Sequence, residues 1–188
     1  LPTFGVGRIH SLFMYPLTFD EFLVANGQQG LMQMREMADF MQPLDTAFHD
    51  KLIESFRIYL LVGGMPESVL AWITTHDFNR CRSIQEDIIL TYEDDFGKYK
   101  KRANADLLRI TMRGICHQIG EKITFKQISA DYQSSQIREA IRLLTLAGIV
   151  TPVVSTSGNG IPLDAAADER YMKLLFLDSG LLLSVLQL

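Results

Sequence analysis

Cysteine, positive charge and long apolar runs are all scarce in this chain. Its 188 residues include two cysteines, Cys81 and Cys116. They lack CxxC spacing, so neither a disulfide framework nor a zinc ribbon organises the fold. The two thiols read as small buried hydrophobes of a reducing compartment. The four histidines (His10, His49, His76 and His117) show neither HxxxH nor HExxH spacing, so no metal site is expected. Lys and Arg number 18 against 22 Asp and Glu, a net charge of −4, which excludes a uniformly basic nucleic-acid coat. No stretch matches the roughly 20 apolar residues of a membrane span. The longest candidate, 174–188, is interrupted by Asp178, Ser179 and Gly180. With no basic leader before an apolar core, a cytoplasmic protein with no membrane partner is expected.

Catalytic signatures are missing as well. GxxxxGK[ST] does not occur. Gly97-Lys98 is the one Gly-Lys pair, and Tyr92 stands where the first glycine belongs. Gly5-Val6-Gly7 runs into His10 rather than completing a dinucleotide fingerprint. Asp94-Asp95 reads as a solvated helix end, and no Ser–His–acid triad is legible. A self-sufficient active site is therefore not expected.

What remains is ordinary globular composition, 47% apolar and 21% charged. This excludes a disordered tail, a collagen and a coiled-coil rod. Arg8 to Tyr15 suggests a strand. Thr18-Phe19-Asp20-Glu21 fits a capping box that opens a short helix ending near Gly27. Leu31, Met34, Ala38 and Met41 recur at helical spacing, and Met32, Met34, Met37 and Met41 read as gap-filling core. A stronger helix is predicted from Asp45 to Val62, with Phe48, Leu52, Phe56, Tyr59 and Leu60 as its apolar stripe and Gly63-Gly64 as its stop. Met65-Pro66-Glu67 opens the next helix, and another runs from Asp77 to about Tyr92.

Charge changes abruptly at Gly97. Ile84–Asp95 holds five acids and no base, and Lys98–Lys126 holds eight bases and two acids. That junction divides the chain into 1–96 and 97–188. The second part reads as three helices (Asn104–Ile119, Phe125–Asp131 and Ser135–Ala147) followed by a hairpin from Ile149–Val154 and Tyr171–Leu177, a winged helix. The expected class is mainly α, with a helical subdomain followed by a winged-helix domain. The apolar run at 181–188 is expected to begin a helix that continues, or packs on residues absent from a chain cut out of something longer.

Several phrases together resemble a known group. They are Gly7-Arg8-Ile9, Tyr15-Pro16-Leu17-Thr18-Phe19-Asp20-Glu21-Phe22-Leu23, Tyr59-Leu60-Leu61-Val62-Gly63-Gly64-Met65-Pro66-Glu67, Ile84–Ile88 with Asp95–Tyr99, and Leu175–Leu182. In this order they resemble prokaryotic ATP-binding proteins of the AAA+ superfamily, close to the archaeal-type and STAND ATPases. There a P-loop core is followed by a helical lid, a winged helix and often an endonuclease-like region. The resemblance implies that this chain is the lid and winged helix. The P-loop core, its ATP and its Mg²⁺ would belong to the full-length parent.

It further implies that Gly63, Gly64, Met65 and Pro66 pack against adenine and ribose. The same residues read, without the resemblance, as a helix–helix corner. Arg8 becomes a candidate sensor or finger arginine, against a structural arginine. Ser134, Ser135, Gln136, Arg138 and Arg142 would face a DNA groove, with Lys98, Lys100, Lys101 and Arg102 as added phosphate contacts. Residues 125–150 carry a net charge of only +1, so a protein-contact role for the winged helix stands beside the DNA role. The partners to weigh are the missing ATPase core, DNA and further copies of the chain. The alternatives are a free-standing winged-helix DNA-binding transcription regulator and a protein-interaction or assembly module.

Overall fold

The computed structural model describes residues 12–99, 104–162 and 167–188. Arg8, Lys100, Lys101 and Arg102 lie outside them. The protein is mainly α, with one small antiparallel hairpin. In chain order the helices are α1 (Phe19–Ala25), α2 (Gln29–Met37), α3 (Thr46–Val62), α4 (Pro66–Thr75) and α5 (Phe78–Asp95). A 3₁₀ turn covers Phe96–Tyr99. Then come α6 (Ala105–Cys116), α7 (Phe125–Ile128) and α8 (Ser134–Leu146), the strands β1 (Val150–Thr156) and β2 (Ala167–Phe176), and α9 (Ser179–Leu186).

Local chemistry sets most of these ends. The Thr18 hydroxyl accepts the Glu21 amide at 3.3 Å, and the Glu21 carboxylate accepts the Thr18 amide at 2.8 Å. This reciprocal pair satisfies two amides that the first turn of α1 leaves unpaired. Asp45, Asp77, Asn104 and Asp178 cap α3, α5, α6 and α9 through their side chains. Pro66 opens α4, where its missing N–H costs nothing.

Two apolar cores form. Phe22, Val62, Val69, Trp72, Cys81 and Ile84 join α1, α3, α4 and the first half of α5. The larger core gathers Leu108, Met112 and Ile115 of α6, Ile137, Ala140 and Leu144 of α8, and Val150 and Leu174 of the hairpin. α5 serves both: Ile84 lies in the first core, while Ile89 and the following Phe96 lie in the second. α9 then returns across the molecule and packs on α3, α5 and α6. Its Leu181 is fully buried, worth about 2 kcal/mol of apolar transfer. Residues 182–186 of the same helix are half-buried, and Leu188 is 74% exposed.

In the hairpin, Val150 pairs with Phe176 and Val154 with Met172, and the register shifts between Val154 and Ser155. The Ile123 amide donates to Met172 O at 3.0 Å and ties the α6–α7 connection to β2. With α6, α7 and α8 this is the winged-helix order.

Some expectations change. Residues 12–17 form neither strand nor helix, and 1–11 fall outside the description. α7 stops at Ile128 because Ser129 is extended. α6 ends at Cys116, which leaves Ile119 37% exposed. α2 buries no residue at all, so its methionines are not core. The helix is short and its start has no side-chain cap. An Arg35–Asp20 ion pair ties it to α1. On α3, Leu52, Ser55 and Val62 face inward, while Phe56 and Leu60 stay substantially exposed.

Candidate functional site

The α3–α4 corner is tightly specified. Gly63 has φ +73° and ψ −172°, a region open in practice to glycine alone. A Cβ there would lie 2.2 Å from Asp178 Oδ1. A Cβ on Gly64 would lie 2.2 Å from Leu17 O. Leu17 N–H donates to Gly64 O at 2.7 Å, and Tyr59 O–H donates to Leu17 O at 2.8 Å. From the far end of the chain, Asp178 Oδ2 accepts Gly64 N–H at 2.6 Å while Oδ1 accepts Leu181 N–H at 2.9 Å. On the other side, Gln85 of α5 donates to Val62 O at 2.9 Å. Gly180 completes the closure, since a Cβ there would meet Gln85 Nε2 at 2.5 Å.

Burial pushes the Asp178 carboxyl above the usual carboxylate range, against the pull of the Gly64, Leu181 and Gly180 amides. Burial also raises the Tyr59 phenol, reinforced by the Asp178 charge. Desolvation raises Tyr92, again with Asp178 adding to it.

Beside this corner a cleft of about 720 Å³ separates the helical part from the winged helix. Tyr15 to Thr18 and the Phe56, Tyr59 and Leu60 side of α3 form one wall. Leu146, β1 from Val150 to Pro152, and β2 from Leu175 onward form the other. Asp178 is the one charged residue on its described lining. A polyphosphate needs cations or convergent amides, and the described lining of this cleft holds no Lys or Arg, so the cleft does not fit a nucleotide's phosphates.

The expected nucleotide-facing residues divide. Gly63 and Gly64 are buried, with Asp178 and Leu17 filling the space their missing side chains leave. Met65 is half-buried against the second core and Pro66 is exposed. None of the four lines the cleft.

On the winged helix, Ser134, Ser135, Gln136, Arg138 and Arg142 are all exposed on α8. Their polar groups are largely engaged locally. Arg142 makes two hydrogen bonds to Glu139, at 2.7 and 2.6 Å. Arg138 sits 5.7 Å from the Phe125 ring centre, and Gln136 accepts the Gln133 amide at 2.9 Å. Lys122 stands 3.7 Å over the ring of Tyr171 on the wing. Both cysteines are free and buried, and burial pushes the Cys116 thiol up to about 12. No group of three metal-ligating side chains is present among the described residues.

Asp178, Leu17 and Gln85 are the residues that reading the sequence missed. Asp178 ahead of Ser179-Gly180 has the form of a helix cap, which finds its local role. Nothing near it in sequence announces its second bond to Gly64.

A family model described as a domain of unknown function (DUF8612) matches residues 53–188. No curated protein and no solved structure matches the chain.

Proposed function

This chain belongs to the DUF8612 domain family, and we propose that it works as the lid and winged-helix portion of an AAA+-type ATPase, in which the two parts move as one body. The observation that carries this is the Asp178–Gly64 bond. Four separate phrases that resemble those ATPases meet there: Leu17 from Tyr15–Leu23, Gly63-Gly64 from Tyr59–Glu67, Gln85 from Ile84–Ile88 and Asp178 from Leu175–Leu182. In this role the joint carries a displacement of the lid to the winged helix. α5, shared between the two cores, supports the same reading.

In this role the chain carries no chemistry of its own. ATP and Mg²⁺ are the business of a preceding core, and Met65 and Pro66 are the corner residues left to approach a base. The compartment proposed is the cytoplasm. No helix among the described residues is long and apolar enough to cross a membrane. The test is ATP turnover by the complete parental reading frame and by this chain alone. The expected result is hydrolysis by the parent and none by the chain. A parent without a phosphate-binding loop, or turnover by the chain itself, would overturn the proposal.

For the winged helix, the Arg142–Glu139 pair favours contact with protein over reading of DNA. The Glu139 carboxylate beside it offsets the positive charge that a phosphate would meet. The free-standing regulator reading makes the opposite demand, a salt-sensitive gel shift with duplex DNA.

A further inference from the structure

The cleft beside the diglycine corner brings aromatic rings together with an acid that has no counter-cation. Phe56 and Tyr59 lie on one wall and Phe176 on the other. Phe13 and Tyr15 also line it and stay 79% and 74% exposed, so their rings are open to whatever enters. Phe56 and Tyr59 form a tilted pair, their ring centres 6.3 Å apart and their planes at 31°. Phe19, which is off the lining, packs 5.2 Å from Phe56 and 5.6 Å from Tyr59 and steadies that pair.

Charge narrows the choice of ligand. Asp178 is 6% exposed, and its two oxygens accept the Gly64 and Leu181 amides, which are neutral donors. Among the described residues no Lys, Arg or His pairs with it, and none lines the cleft. A buried carboxylate is ordinarily matched by a cation, and each of its oxygens has a second lone pair to offer. Burial first, and then the charges of Asp178 and Glu21, hold the Tyr59 phenol above its ordinary range, and both of those charges are negative. An anion therefore meets nothing favourable here. A hard metal ion needs several ligands, and no group of three acidic, His or Cys side chains gathers among the described residues. An organic ammonium needs no such set, because the faces of aromatic rings attract it directly.

We propose that this cleft binds an organic cation, a quaternary or tertiary ammonium on an apolar body, with its charge among the rings of the two walls and facing Asp178. A volume of about 720 Å³ leaves room for the apolar body beside the charged head. This stands independently of the ATPase reading.

The test compares three probes of one shape by NMR titration of the chain's amides. Benzyltrimethylammonium carries the charge, neopentylbenzene replaces its nitrogen by carbon, and benzylsulfonate reverses the charge. All are used at matched concentrations within the solubility of the neutral one. The cation is expected to shift the amides of Tyr59, Leu146 and Leu177, which line the cleft, and to leave those of α4, which does not. It is expected to bind about fivefold or more tightly than the neutral probe, and the sulfonate not to bind. Phe56→Leu with Phe176→Leu keeps an apolar wall and removes two ring faces. This variant is expected to weaken the cation about threefold or more and to leave the neutral probe within about twofold. Far-UV circular dichroism checks its fold. Tyr15→Leu, at an exposed position, gives a second variant that is expected to weaken the cation about twofold. A neutral probe or a sulfonate that binds as tightly as the cation would overturn the proposal. So would cation shifts confined to amides away from the cleft, or folded ring variants that hold the cation as the native chain does.

Discussion

The carboxylate of Asp178 accepts the amide of Gly64 at 2.6 Å, joining positions 114 residues apart in a buried setting. One oxygen closes the α3–α4 corner and the other caps α9. The same side chain therefore holds the end of the winged-helix part against the helical part. Removing it strips a buried amide of its partner and a helix of its cap.

Asp178→Ala is expected to destabilise the chain by about 2–4 kcal/mol, combining an unsatisfied buried amide with a lost cap. Urea unfolding measures this. A loss below about 0.5 kcal/mol, the level of an ordinary surface change, would show that the bond contributes little.

The pH dependence has a definite sign. Burial raises the Asp178 carboxyl above its ordinary 3.8. A group raised in the folded state stabilises fully below its unfolded value and loses that contribution as pH climbs through the folded value. The window opens just above 3.8. Tyr59 and Tyr92, which sense the Asp178 charge, stay neutral there because both are raised from 10.0. Asn does not titrate, so the stability advantage of the native chain over Asp178→Asn is expected to narrow between about pH 4 and neutrality. Urea melts at a series of pH values would show it, and an advantage that widens instead would contradict the sign.

The glycines offer an internal control. Gly64→Ala places a Cβ 2.2 Å from Leu17 O, a backbone atom that a side-chain rotation cannot move. A loss of about 2–3 kcal/mol is expected, with a lower melting temperature. Gly30→Ala sits within α2 with nothing within 4 Å, and is expected to be neutral or to stabilise by up to about 1 kcal/mol. Equal effects at the two sites would remove the close approach from the account.

Helix ends were legible because their causes are local. Thr18 and Glu21 stand three apart, Pro66 comes two residues after the Gly63-Gly64 pair, and each pattern answers amides or carbonyls within one turn. The winged-helix order was legible for the same reason, its inward row of Ile137, Ala140, Ile141 and Leu144 repeating at helical spacing. Periodicity failed on α2 and the turn after it, where Met34 and Met41 follow the helical rhythm but stay exposed. It failed in part on α3, where Phe56 and Leu60 sit on the stripe yet line an open cleft. A repeat reports which side chains share a face, and only tertiary contacts decide whether that face is covered. Asp178 shows the other limit: its cap is local, and its partner is not.

The ion pair on α8 yields a separate test of the winged helix. Glu139→Gln removes the carboxylate that holds Arg142. If α8 lies against phosphates, affinity for duplex DNA is expected to rise and the slope of log K against log salt to steepen by about 1. The protein-contact reading expects the native chain and the variant to bind duplex DNA equally poorly near physiological salt. Gel shifts across a salt series separate the two.

Native-state hydrogen exchange at the Gly64 amide tests most directly whether the helical part and the winged helix open as one body. Met112 and Leu144, 0% and 1% exposed in the second core, provide the reference amides. The account predicts that Gly64 and Leu181 exchange only through global unfolding, with the same free energy and denaturant slope as Met112 and Leu144. Exchange of Gly64 at a clearly lower free energy, while Met112 and Leu144 stay protected, would contradict it.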